Sequence, residues 1–73
     1  MEEITQNIYS VIEDSEKRID ELALAVGCNR KQITRWKNGD AEMGIYKLKA
    51  FCEFYEVSAD YILGLPKNLV WPR

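Results

Sequence analysis

Residues 22–39 read LALAVGCNRKQITRWKNG, and this stretch decides the fold. From three residues before this stretch to the end of its first third, apolar residues follow the i, i+3, i+4, i+7 spacing that is typical of one helix face. These apolar positions are Ile19, Leu22, Ala23 and Val26. The pattern stops at Gly27, a residue type that commonly follows the last turn of a helix. The sequence therefore predicts a short amphipathic helix that ends just before Gly27.

A second helix is predicted directly after this glycine, from about Arg30 to Asn38. Asn29 can cap its first turn, and Gln32 stands three residues later, which completes a capping-box pattern. Ile33 and Trp36 are three residues apart and are expected to face the core. Two short helices joined by about three residues that include a glycine are typical of a helix-turn-helix.

Three further helices are predicted around this pair. The first, from about Thr5 to Lys17, has an apolar stripe formed by Ile4, Ile8, Val11 and Ile12. The stripe of the fourth helix is formed by Ile45, Leu48, Phe51, Cys52 and Tyr55. Ser58 is expected to cap a short fifth helix that ends before Gly64. The expected fold is a compact all-α domain of five helices, with the helix-turn-helix at the second and third.

This domain is expected to cover residues 1–64, and residues 65–73 form a C-terminal tail. The tail contains the apolar run Leu-Val-Trp at 69–71 without helical spacing, so it either packs back on the domain or contacts a second copy. Tyr46 and Phe54 fall off the inward stripe of the fourth helix. They are either half-buried packing or part of a partner surface.

Composition excludes several classes of protein. The 73 residues suffice for one domain, and 47% hydrophobic with 30% charged residues is typical of a globular protein. We expect no membrane association and a cytoplasmic location, since no apolar run approaches the roughly 18 residues of a membrane span and no signal peptide is apparent. Two cysteines, Cys28 and Cys52, and no histidine predict neither a metal site nor a disulfide framework. No nucleophile–base pair or phosphate-binding glycine loop is recognisable, so we expect no enzymatic activity and no cofactor.

The distribution of charge indicates a nucleic-acid partner more clearly than the net charge of −2 does. Between Gly27 and Gly39 the sequence has no acidic residue and four of its ten basic residues. These are Arg30, Lys31, Arg35 and Lys37. Phosphates respond mainly to the local field once salt screens distant charges, so one cationic segment on an otherwise acidic chain can still bind DNA.

Residues 33–39, ITRWKNG, together with Leu22-Ala23 and Gly27, resemble the helix-turn-helix of the Cro and lambda-repressor-like (XRE-type) regulators. The resemblance continues through residues 48–63 and covers about four-fifths of the chain. It implies a double-stranded DNA operator as the ligand, no small-molecule ligand, and a homodimer on a pseudo-palindromic site. Three features depart from the family pattern. Ile19 replaces a glutamine that often touches a phosphate, Met43 stands near a usual proline, and the N-terminus is acidic.

Residue roles follow from the helical wheel of the predicted recognition helix. With Ile33 and Trp36 facing the core, the opposite face presents Lys31, Thr34, Arg35 and Asn38. Recognition helices contact base edges mainly with their N-terminal half, so base contacts are predicted for Arg30, Lys31, Thr34 and Arg35. The resemblance implies that Asn38 contacts a phosphate with support from Lys37. Lys47 and Lys49 are further phosphate candidates.

The leading hypothesis is a sequence-specific transcriptional regulator, specifically a repressor of phage or mobile-element type. An antitoxin, which would also bind a protein partner, is a related alternative. The second class of function is a protein–protein interaction module that kept this fold and lost DNA binding, since fold alone does not settle function.

Overall fold

A computed structural model describes residues 3–66 of the chain. Within these residues the protein is entirely helical, with no strand. The helices are α1 (Glu3–Asp14), α2 (Ile19–Val26), α3 (Arg30–Asn38), α4 (Ile45–Tyr55) and α5 (Ala59–Leu63). The predicted all-α fold of five helices is confirmed. The predicted role of the apolar run at 69–71 lies outside the described residues.

The five helices enclose one core. Helix α1 packs against α3 and α5, α2 packs against α3 and α4, and α4 also contacts α5. The buried side chains are Ile8, Ile12, Leu22, Ala23, Val26, Ile33, Trp36, Phe51, Cys52 and Ile62. They include Leu22 and Val26 from the apolar face predicted for α2, and Ile33 and Trp36, which were expected to face the core. In the part of the chain described, no helix is long and apolar enough to cross a membrane.

Helix α1 begins and ends earlier than the sequence predicts. It covers Glu3–Asp14 rather than Thr5 to Lys17. After its last residue, the Ser15 hydroxyl accepts a hydrogen bond from the backbone N–H of Lys17 at 3.0 Å. A short polar side chain that bonds to a nearby backbone group competes with the helical hydrogen bonds. This turn ends α1 and leads the chain into α2.

The N-terminal end of α4 also differs from the prediction. Ile45 was expected to face the core, yet it is 82% exposed, and the neighbouring Tyr46 is 89% exposed. Ile45 is the first residue of the helix, so it lies beyond the part of the apolar stripe that reaches the other helices. Phe54, at the opposite end of α4, is half-buried and stacks edge-on against Tyr55 with 4.9 Å between ring centroids. The predicted half-buried packing is therefore confirmed for Phe54 and is wrong for Tyr46.

Polar contacts at helix ends fix how the helices meet. The side-chain amide of Asn7 on α1 donates to the carbonyl oxygens of Tyr61 and Ile62 at 3.2 and 3.1 Å. Both carbonyls belong to the last turn of α5, and that of Tyr61 also accepts the backbone N–H of Gly64 at 3.3 Å. Asn7 thus joins the two ends of the described chain. Neither helical spacing nor composition indicates this contact.

The connection between α2 and α3 has the predicted geometry. Gly27 follows α2 with φ +78° and ψ +42°, the left-handed conformation that glycine adopts at least cost. The backbone N–H groups of Gly27 and Cys28 both donate to the carbonyl oxygen of Ala23, at 2.9 and 3.0 Å. The turn therefore satisfies a terminal carbonyl of α2, and α3 begins at Arg30, two residues after Cys28.

Gly27→Ala is expected to lower the free energy of unfolding by about 1–2 kcal/mol, because a side chain is strained in the left-handed region. An added Cβ would meet only Lys47 Nζ, at 4.0 Å, so the effect comes from the backbone and not from a clash. Gly44→Ala is the matched control, since Gly44 has φ −67° and nothing within 4 Å of an added Cβ. Urea unfolding followed by circular dichroism measures both. Equal losses of stability in the two variants would contradict the assignment of the effect to the left-handed backbone at Gly27.

Candidate nucleic-acid interface

Helix α3 has two distinct faces. Asn29 caps the helix, its side-chain oxygen accepting the backbone N–H of Gln32 at 2.9 Å, as predicted. Ile33 is fully buried and Trp36 is 2% exposed, so these two side chains fix the inner face. Gly39 ends the helix in the left-handed conformation. The helix is thus fixed at both ends and along one side, which leaves its opposite side to solvent.

The exposed face presents the residues that the sequence places there. Lys31, Thr34, Arg35 and Asn38 are all exposed. Among residues 3–66, the Arg35 guanidinium makes one long contact, 3.5 Å from Nη2 to the carbonyl oxygen of Asp40. No acidic residue lies in the first turn of α3. The structure therefore gathers two cations, a hydroxyl and an amide on one solvent-facing surface.

Arg30 lies at the edge of this surface, next to α2. Its Nε is 3.5 Å from Oδ1 of Asp20, and the Arg30 side chain is 72% exposed. Arg18 also pairs with Asp20, with 3.7 Å between Nη2 and Oδ2. The Thr34 hydroxyl donates to the carbonyl oxygen of Arg30 at 3.1 Å, so the Thr34 hydrogen is used within the helix. Asp20 was not recognised from the sequence as part of this region.

Lys37 does not share the exposed face. Its ammonium pairs with the carboxylate of Glu13 on α1 and lies 5.3 Å from the ring centroid of Tyr9. The Lys37 side chain is only 18% exposed. At 100° per residue Lys37 lies on the flank of α3 near Arg30, not opposite Trp36, so helical spacing alone could have separated it from Asn38.

The two lysines of α4 differ in the same way. The ammonium of Lys47 donates to the carbonyl oxygens of Val26 and Gly27, each at 3.3 Å. A cation at the C-terminal end of α2 also interacts favourably with the helix dipole. Lys49 is exposed. Of the two, only Lys49 presents its charge to solvent.

The turn of the helix-turn-helix contains a free thiol. Burial raises the pKa of the Cys28 thiol, an effect that the nearby Lys47 ammonium partly offsets. Burial also raises the pKa of the Cys52 thiol. Both groups are therefore protonated at neutral pH and pack as small apolar side chains, Cys52 buried and Cys28 half-buried.

Helices α2 and α3 thus form a packed pair with a buried inner face and exposed cations on α3. Residues 7–68 match the family model described as the Cro/C1-type HTH DNA-binding domain. The chain belongs to this family. Comparison with curated proteins and with solved structures gives no match.

Because it belongs to this family, the Cro/C1-type protein has a DNA-binding domain. The match begins at Asn7 and thus includes most of α1 as well as the helix-turn-helix. The resemblance inferred from the sequence motif is confirmed. The sequence did not reveal the acidic partners Asp20 and Glu13, because each lies on a different helix from the cation it pairs with.

Asp20→Asn is expected to strengthen DNA binding of the Cro/C1-type domain by up to about fivefold. The carboxylate engages Arg30 and would also repel phosphates, and an exposed pair of this kind is worth about 1 kcal/mol at most. Fluorescence anisotropy with a labelled duplex measures the change. Glu21→Gln is the matched control, an exposed carboxylate in the same first turn of α2. Weaker binding by Asp20→Asn would instead make Asp20 an orienting partner of Arg30.

Proposed function

We propose that this protein is a sequence-specific transcriptional regulator that binds a pseudo-palindromic operator as a homodimer and represses by occupying it. The observation that carries the proposal is the separation of the two faces of α3. Ile33 and Trp36 are buried, while Lys31 and Arg35 face solvent on the opposite side. Such a helix can lie in the major groove without exposing core residues. Since DNA is its ligand, we propose a cytoplasmic location.

Base contacts are proposed for Arg30, Lys31, Thr34 and Arg35. An arginine or lysine can donate to O6 and N7 of guanine in the major groove. Arg35 is the best placed for two such bonds, because the hydrogen bond that its guanidinium makes to the carbonyl oxygen of Asp40 is long, at 3.5 Å. The Thr34 hydroxyl already donates to a backbone carbonyl, which leaves its methyl group to pack on the methyl of thymine.

Phosphate contacts are proposed for Asn38, at the C-terminal end of α3, and for Lys49. Both side chains are exposed. Contacts to phosphates fix the orientation of a protein on the duplex and are independent of base sequence. The slope of log affinity against log salt grows by about 0.9 for each phosphate contact, so with few such contacts binding is expected to weaken only gradually as salt is added.

A dimer is proposed because one copy of α3 covers too little DNA to specify a site. The helix has nine residues and is therefore about 14 Å long, the length of about four base pairs. Two copies bound one helical turn apart, at about 34 Å, double the sequence that is contacted. The described domain measures 39 × 24 × 21 Å, so two copies fit side by side at this spacing.

Selection from a random DNA library, with the oligomeric state recorded by light scattering, tests the proposal. The expected result is a palindromic consensus bound by two copies. A consensus bound by one copy would remove the dimer and keep the function. Absence of any enriched sequence would overturn the proposal and favour a protein–protein interaction module on the same fold.

A further inference from the structure

The end of α3 is joined to α1 by a polar contact. Lys37, in the last turn of α3, forms an ion pair with Glu13 and lies 5.3 Å from the ring centroid of Tyr9. Both partners belong to α1. The Lys37 side chain is 18% exposed, compared with 72% for Arg30 on the same helix. Its ammonium is thus held between a carboxylate and an aromatic face.

We propose that Lys37 is a positioning residue, which orients the recognition helix through Glu13 and Tyr9 and does not contact a phosphate. To reach a phosphate, the ammonium would have to leave a carboxylate and a ring face that it already occupies. The Lys37 side chain is largely buried while Glu13 is 45% exposed, so separating the pair would leave the ammonium without its partner at a position largely shielded from water. The proposal rests on the proposed function insofar as α3 is the helix that contacts DNA.

The Lys37 contact adds a directional restraint to the other anchoring of α3. Its N-terminal end is set by the turn at Gly27 and the Asn29 cap. Ile33 and Trp36 fill the core, and apolar packing of this kind has no directional preference. Base contacts require side chains within about 0.5 Å of their productive positions. A hydrogen-bonded ion pair at the last turn adds a directional restraint on the angle of the helix.

Lys37→Met tests the proposal, because methionine keeps an apolar stem and removes the ammonium. Affinity for the selected site is expected to fall at least about fivefold, the smallest effect of losing one bidentate base contact. Affinity for unrelated DNA, and the slope of log affinity against log salt, are expected to stay unchanged. Circular dichroism gives the folded fraction by which each affinity is corrected.

Lys17→Met is the matched control. The Lys17 ammonium donates to the carbonyl oxygen of Phe54 and lies 4.6 Å from the centroid of its ring. This contact resembles that of Lys37 but joins the α1–α2 loop to α4, not to α3. Lys17→Met is therefore expected to lower thermal stability and to leave the ratio of specific to non-specific affinity unchanged.

The charge-swapped pair Glu13→Lys with Lys37→Glu keeps the proposal testable if Lys37→Met fails to fold. The swap is expected to restore the specific affinity that Lys37→Glu alone loses. A salt slope lowered by about one, with both affinities reduced, would make Lys37 a phosphate contact and overturn the proposal. An unchanged affinity of Lys37→Met for the selected site would also overturn it. The same holds if the charge-swapped variant folds and yet does not regain specific affinity. Failure of the proposed function is read separately, from the absence of a consensus for the unmodified protein.

Discussion

Trp36→Ala is expected to lower the free energy of unfolding by about 3–5 kcal/mol, the usual effect of removing a buried tryptophan side chain. A domain of 73 residues has a total stability of about 4–11 kcal/mol. The variant is therefore expected to be partly or wholly unfolded at 37 °C. No other single substitution considered for this chain has as large an expected effect on folding.

The reason lies in the position of Trp36 between helices. It is the largest of the fully buried side chains, and it borders a groove formed with Ile4 and Ile8 of α1. Its indole N–H has no hydrogen-bond partner among the described residues, so the loss is of packing and not of a hydrogen bond. Trp36→Phe, which keeps a ring and removes the unpartnered N–H, is accordingly expected to destabilise less than Trp36→Ala.

Urea or thermal unfolding followed by circular dichroism measures these effects. Tyr46→Ala is the matched control, because Tyr46 is a large aromatic residue that is 89% exposed, and its removal is expected to change stability by less than about 0.5 kcal/mol. A loss below about 1 kcal/mol in Trp36→Ala would contradict the placement of this side chain in the core. A large loss in Tyr46→Ala would indicate a contact outside the described residues.

The parts of the fold that were predictable depend on signals local in the sequence. Both ends of α3 were predicted correctly because Asn29 and Gly39 act within one turn of the helix they bound. The turn at Gly27 was predictable for the same reason. The end of α1 was not, since its apolar stripe gives no information about where the chain must turn toward α2. Ile45 has the helical spacing of a core residue and yet lies beyond the reach of the core.

In the candidate site too, features set within one helix were predictable and contacts between distant residues were not. Helical spacing placed Lys31 and Arg35 on the exposed face, because the inner face is defined by two residues of the same helix. Which lysines carry a free charge was not predictable. Lys37 and Lys47 are both engaged by groups distant in sequence, Glu13 and the carbonyl of Val26. The cationic surface is therefore smaller than composition suggests, and it is concentrated on the N-terminal half and outer face of α3.

This concentration makes Arg35 the residue with the largest expected effect on DNA binding. Arg35→Ala is expected to weaken binding to the selected site by about 1–3 kcal/mol and to abolish the preference at one base pair. The side chain is exposed and its contact to the Asp40 carbonyl is long, so the guanidinium is available to both acceptors of a guanine. Asn38→Ala, by contrast, is expected to weaken specific and unrelated DNA alike.

Arg35→Lys separates recognition of a base from simple attraction to DNA. Lysine keeps the positive charge and loses the planar fork of donors, so the variant is expected to bind unrelated DNA normally and to show a weaker preference at the same base pair. Binding of the selected duplex and its single-base variants at two salt concentrations measures this. If Arg35→Ala weakens every duplex equally, Arg35 contacts the backbone. Recognition would then depend on Arg30, Lys31 and Thr34, which are tested by the same set of duplexes.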